Sequence, residues 1–134
     1  MKLRLAFCFA ALSVCLVPIL SAQDPTKVDS KHYTIVSEND QVRILKVHYG
    51  PHEKSVMHSH PAAVAVFLTD AKGQFNFPDG KKQEFNTKQG DSLYTPAQTH
   101  QPENTSDTPF ELILVELKHK PATAAKATHQ SAKK

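Results

Sequence analysis

Residues 56–69 read VMHSHPAAVAVFLT: His58 and His60 separated by a single serine, then Pro61, then an apolar run from Ala62 to Leu68. Side chains two apart on an extended strand project to one face, so a strand over Val56 to His60 sets both imidazoles side by side. Pro61 interrupts it, and Ala63 to Thr69 forms a second strand. There Val64, Val66 and Leu68 alternate with Ala65, Phe67 and Thr69, leaving both faces largely apolar. That pattern predicts a strand covered on both sides.

Outward from this pair the chain continues as short β-branched or aromatic runs divided by turn residues. The expected strands are Tyr33 to Ser37, Gln41 to Tyr49, Gln74 to Phe77, Gln83 to Asn86, Ser92 to Thr95 and Phe110 to Leu117, which with the two above make eight. No strand is assigned between Thr95 and Phe110. The separators are turn chemistry: Glu38-Asn39-Asp40, Asp70 to Gly73, Pro78-Asp79-Gly80, Lys88 to Asp91, and Asn104 to Pro109. Phe75 and Phe77 alternate with Gln74 and Asn76, as on a strand with one buried face. Eight short strands with little loop between them predict an all-β domain, a jelly-roll barrel or a two-sheet sandwich. Phe67, Phe75, Phe77 and Tyr94 read as core.

The two ends have a different character. Lys2 and Arg4 precede an uncharged run from Leu5 to Leu20, and Ser21-Ala22 follow, the pattern of a secretory signal peptide over residues 1–22. The run is too short for a spanning helix, so no stable membrane anchor is expected after cleavage. Both cysteines, Cys8 and Cys15, fall in that segment, which excludes a disulfide scaffold for the mature chain. Residues 23–32 read as a leader, 33–118 as the barrel domain, and 119–134, with alanine, lysine and threonine but no apolar face, as a disordered basic tail. From Gln23 to Leu117 there are 9 Lys and Arg against 13 Asp and Glu, while residues 118–134 carry 5 Lys and no acid. The folded part is therefore mildly acidic, and nucleic acid is excluded as a partner. The localisation expected is exported, periplasmic or secreted.

The histidines carry the chemistry. With 8 in the chain, a His-x-His pair arises readily by chance. Two imidazoles on one strand face can nevertheless chelate a divalent ion, provided a third ligand comes from elsewhere. His100 is the candidate, placed after Gly90-Asp91 and Pro96 and followed by Asn104. Gly50, His58-Ser59-His60-Pro61 and Gly73, then Gly90-Asp91, Pro96, His100 and Asn104, together resemble the two motif halves of the cupin superfamily. Gln98 stands where that family has glycine, and the spacing before His100 is one residue short.

The resemblance covers roughly residues 33 to 117 and implies a small jelly-roll barrel holding one divalent transition metal (Fe, Zn, Ni, Cu or Mn) on His58, His60 and His100. The family's metal-binding glutamate falls at Val64 or Ala65, neither of which can bind a metal. Three neutral imidazoles would leave the ion its full charge, favouring an anionic or chelating small molecule. Two readings follow: a binding module, or a dioxygenase-like enzyme, with a metal-free structural or dimerising barrel as the third. For catalysis the candidate base is Tyr94, or Glu53 and His52 on the loop entering the first motif. A homodimer is implied by the resemblance alone.

Overall fold

The computed structural model describes residues 23–118; the expected signal peptide at 1–22 and basic tail at 119–134 lie outside the described residues. After a one-turn helix α1 (Pro25–Val28) come nine strands: β1 (Tyr33–Glu38), β2 (Val42–Tyr49), β3 (His58–His60), β4 (Ala63–Phe67), β5 (Ala71–Asn76), β6 (Lys82–Thr87), β7 (Ser92–Thr95), β8 (Gln98–Asn104) and β9 (Phe110–Leu117). They form two antiparallel sheets, β1-β2-β9-β4-β7 and β3-β8-β5-β6. Among the described residues no helix is long and apolar enough to cross a membrane.

Alternation builds the interior. On β2 the inward residues are Leu45, Val47 and Tyr49, and they pair across to Leu114, Leu112 and Phe110 of β9. Such matched apolar pairs on one face fix the register, because a slip of one residue would turn every one of them to solvent. Ala63, Phe67 and Ala71 complete this core with Tyr33. The Tyr33 and Tyr49 hydroxyls hydrogen-bond each other at 2.9 Å, so neither phenol is buried unpaired.

Three expectations need correction. β4 is half-buried at Val64 and Val66 and is not covered on both sides. β5 begins at Ala71, within a stretch read as a turn. Most importantly, Gln98–Asn104 is a strand, the ninth, where none was expected. Its polar composition hides it, yet its alternate residues His100, Pro102 and Asn104 are the buried ones. Pro102 lies beyond the last β3 pair, His58 with His100; it pairs with Phe75 of β5, and its carbonyl accepts from Ser55 N at 2.9 Å.

Residues 23–32 are packed onto the barrel. The backbone carbonyl of Gln23 accepts from Ser59 N, Asp24 caps α1 by accepting from Thr26 N, and Asp24 also binds Arg43 at 2.6 Å. Pro25, Asp29 and His32 are buried. Asn104, fully buried, donates to the carbonyls of Gly50 and Thr108 and accepts from Ser106, which ties two loops together at one end of β8. Its role is structural. Gly90, at φ 89°, makes the turn into β7.

Candidate metal centre

β3 and β8 run antiparallel with His58 opposite His100 and His60 opposite Gln98. The three histidines therefore share the face turned into the barrel, and all are buried. Their ring centroids are 4.8 Å apart for His60 and His100, 5.2 Å for His58 and His100, and 6.3 Å for His58 and His60. Among the described residues, no three His, Cys, Asp or Glu side chains stand at coordination distance of a common point. His60 and His100 come nearest to it, with their Nε2 atoms 3.1 Å apart.

The hydrogen bonds behind the rings decide which nitrogens are free. His58 Nδ1 is 2.9 Å from the Val56 carbonyl and His60 Nδ1 is 2.7 Å from the Pro61 carbonyl. A carbonyl only accepts, so each Nδ1 carries the hydrogen and each Nε2 keeps its lone pair. His58 Nε2 is buried with no partner at all. At His100 the Gln98 amide nitrogen faces Nδ1 at 3.2 Å, so His100 Nε2–H donates to His60 Nε2. Reversing the Gln98 amide would offer its oxygen both to the Thr95 hydroxyl, now 2.7 Å from the amide nitrogen, and to a His100 Nδ1–H. All three Nε2 lone pairs would then be free.

In the chemistry of its donors, though not in the placing of His58 relative to His60, the set suits a divalent transition metal. Burial holds the pKa values of His58 and His60 below the ordinary histidine value. For His100, burial and then the neighbouring His60 and His58 bring it down to about 2. All three are neutral near pH 7, as metal ligation requires. The 3.1 Å separation of His60 and His100 Nε2 is also the spacing of two nitrogens each about 2.1 Å from one ion. An unpartnered buried nitrogen at His58 costs about 1–3 kcal/mol, which a ligated ion would remove.

Beside these rings lies a cavity of about 250 Å³ in the barrel interior. His60, His100 and Gln98 line one side, and aromatic rings, among them Phe75 stacked on His100 at 4.7 Å, line much of the rest. Phe67 and Phe75, read as core, thus also wall the cavity. Tyr94 is not core: it is 62% exposed and stands at the cavity rim. No Asp, Glu, Lys or Arg side chain lines the space. The glutamate position left open by the sequence is now assigned, since Ala65 lines the cavity on the inner face of β4 whereas Val64 faces the other way.

The other proposed bases are elsewhere. Glu53 is bonded to Lys31, Gly50 N and His32; the Lys31 contact above all lowers its pKa to about 2. His52 is exposed, at φ 56°, and pairs with Asp107. One buried carboxylate escaped the sequence reading. Glu116, 1% exposed on the inner face of β9, binds Arg43 through Oε2 at 2.6 Å and leaves Oε1 without a partner. Nothing in the sequence marks it, because its burial depends on the β4–β9 register that sets it opposite Ala63.

The family model for the cupin domain (Cupin_2) matches residues 45–116. Among solved structures, a cupin domain from Bordetella pertussis is similar at 25% identity and a TM-score of 0.60, over 65% of this chain and 92% of that one. A protein with a double-stranded β-helix domain from Klebsiella pneumoniae is similar at 19% identity and 0.54, over 67% and 78%. The polyketide cyclase RemF from Streptomyces resistomycificus is similar at 14% and 0.50, over 67% and 66%. No curated protein matches the sequence.

Proposed function

The chain belongs to the cupin domain family, which has metal-binding and enzymatic members, and from that premise we propose that it is a metal-dependent binding module for a small anionic or chelating molecule. The observation that carries this reading is the set of three neutral, inward-facing imidazoles, two of which, His60 and His100, line a cavity with no charged side chain in its lining. His58, His60 and His100 would hold the ion. Bound there, it supplies a Lewis acid able to take a carboxylate, enolate or diketone oxygen. The chain's own groups do the rest: Phe75 and Phe85 cover the apolar body of the ligand, Gln98 and Thr95 offer polar contacts, and Tyr94 stands at the entrance.

A dioxygenase-like activity is the second reading. It draws on the same donor set, but the lining offers no ionised base, and burial first of all raises the pKa values of the Tyr33 and Tyr49 phenols. Binding without chemistry is therefore preferred. The pattern of residues 1–22 supports action outside the cytoplasm, in a periplasmic or secreted form.

The test is metal analysis of the mature protein purified without a metal-binding tag. The expected result is close to one equivalent of a divalent transition metal, lost in His58→Ala and His100→Ala. Less than about a tenth of an equivalent, with no gain in thermal midpoint when zinc, iron or nickel is added, overturns the reading. Oxygen uptake with a panel of diketones and flavonols, absent in those two variants, would move the assignment to the second reading.

A further inference from the structure

We infer that Asp29 is a positioning residue for this centre: acting through Ser55, it keeps His58 in the tautomer whose Nε2 lone pair faces the barrel interior. The inference rests on the metal-binding reading above and adds to it a residue from the leader, outside the stretch that resembles the family.

The contacts form one buried chain. His32 Nδ1 lies 2.7 and 2.8 Å from the two Asp29 oxygens, and its ring stacks on Tyr49 at 4.3 Å and 10°. Ser55 Oγ donates to Asp29 Oδ2 in a very short contact. The same oxygen is 3.2 Å from His58 Nδ1 and 3.0 Å from the Val56 carbonyl. Asp29, His32, Ser55 and His58 are all buried. Serine, aspartate and histidine occur here in the wrong order for a nucleophile, since Ser55 meets the carboxylate and not the imidazole of His32.

What the order does achieve is control of one hydrogen. A hydroxyl has a single hydrogen, and an ionised carboxylate only accepts. Asp29 takes the Ser55 hydrogen, so Ser55 presents only lone pairs to His58, which answers with Nδ1–H. The unpartnered Nε2 of His58 is the consequence at the other side of the ring. Release Ser55 from Asp29, and its hydrogen can compete with His58 Nδ1–H at the Val56 carbonyl or turn directly into Nδ1. A hydrogen turned into Nδ1 favours the Nε2–H tautomer, whose Nε2 has no lone pair to offer a metal.

This gives an ordering that a merely structural role does not. In Asp29→Asn the amide oxygen can keep the His32 bond while the amide N–H points at Ser55, driving the Ser55 hydrogen toward Val56 or His58. Ser55→Ala simply leaves the Val56 carbonyl to hold His58 Nδ1–H. The D29N change should therefore be the more damaging, and adding S55A to it should repair it.

The experiment is zinc affinity by chelator competition on the wild type, D29N, S55A and the double variant, with the His58 tautomer read by ¹⁵N NMR on metal-free protein. The expected results are a loss of about 10–100-fold for D29N, a smaller loss for S55A, and a double variant no weaker than S55A. His58 is Nδ1–H in the wild type and S55A, and mixed in D29N. Zinc affinity unchanged in D29N, or losses that add in the double variant, overturns the inference. If D29N alone does not fold, an Nε2–H His58 in the metal-free wild type still overturns it. A wild type that binds no zinc, iron or nickel removes the metal-binding reading and the inference with it. That failure differs from one in which the metal binds and the variants make no difference.

Discussion

Restoring a carboxylate at the inward position of β4 tests both the register and the donor set. Ala65 lies between Leu93 of β7 and Leu114 of β9, on the face that lines the cavity with His60 and His100. Ala65→Glu adds a carboxymethyl group to a space of about 250 Å³, so the change is accommodated without overpacking. In the metal-free protein the new carboxyl is desolvated and imperfectly paired, which costs about 1–3 kcal/mol. With a divalent ion bound, the carboxylate becomes a fourth protein ligand, and the expected gain is at least tenfold in affinity, about 1.4 kcal/mol. At metal concentrations far above Kd that gain adds to the metal-induced stabilisation. For a domain of this size it corresponds to roughly 6–11 °C of extra rise in Tm. The assay is thermal unfolding of wild type, A65E and V64E with and without zinc. Val64, paired with Tyr94 and Val115, does not line the cavity, so V64E is expected to show no metal-dependent gain. A gain in V64E, or none in A65E, refutes the reasoning.

Other consequences follow from burial and space. The folded protein holds His58, His60 and His100 below their unfolded values, so the unfolded chain binds more protons in acid. That contribution to the stability of the metal-free protein is present above about pH 6.5 and is lost as pH falls from there toward the folded values, roughly 1 kcal/mol of it from His100 over the first unit; urea midpoints at pH 7.5, 6.5 and 5.5 measure it. Arg43→Met leaves Glu116 buried without its partner and is expected to cost about 3–5 kcal/mol, largely recovered in R43M/E116L, as read by urea unfolding. At Gly73 an added Cβ would sit 2.4 Å from the Glu103 carbonyl oxygen and 2.5 Å from the Phe85 ring. Because one of those atoms is backbone, Gly73→Ala is expected to lower stability by about 2–3 kcal/mol, a Tm drop of 8 °C or more by calorimetry.

Periodicity and turn chemistry determined the all-β class, because they are written in consecutive residues: the strand from Gln41 to Tyr49, and the alternation of Phe75 with Gln74 and Asn76, needed no partner to be read. The local spacing of His58 and His60 likewise places two imidazoles on one strand face by geometry alone. What the sequence could not supply is anything that depends on which strands become neighbours. β8 was illegible because Gln98 to Asn104 is polar and contains Pro102, and only pairing with β3 and β5 makes it a strand. The choice between Val64 and Ala65 required knowing which face of β4 meets the cavity. The Asp29–Ser55–His58 chain joins residues 26 and 3 positions apart, and Glu116 meets Arg43 across 73. No local pattern encodes such contacts, since each residue alone looks like an ordinary polar side chain. Burial brings these groups together, and only burial gives their hydrogen bonds the strength to fix a tautomer.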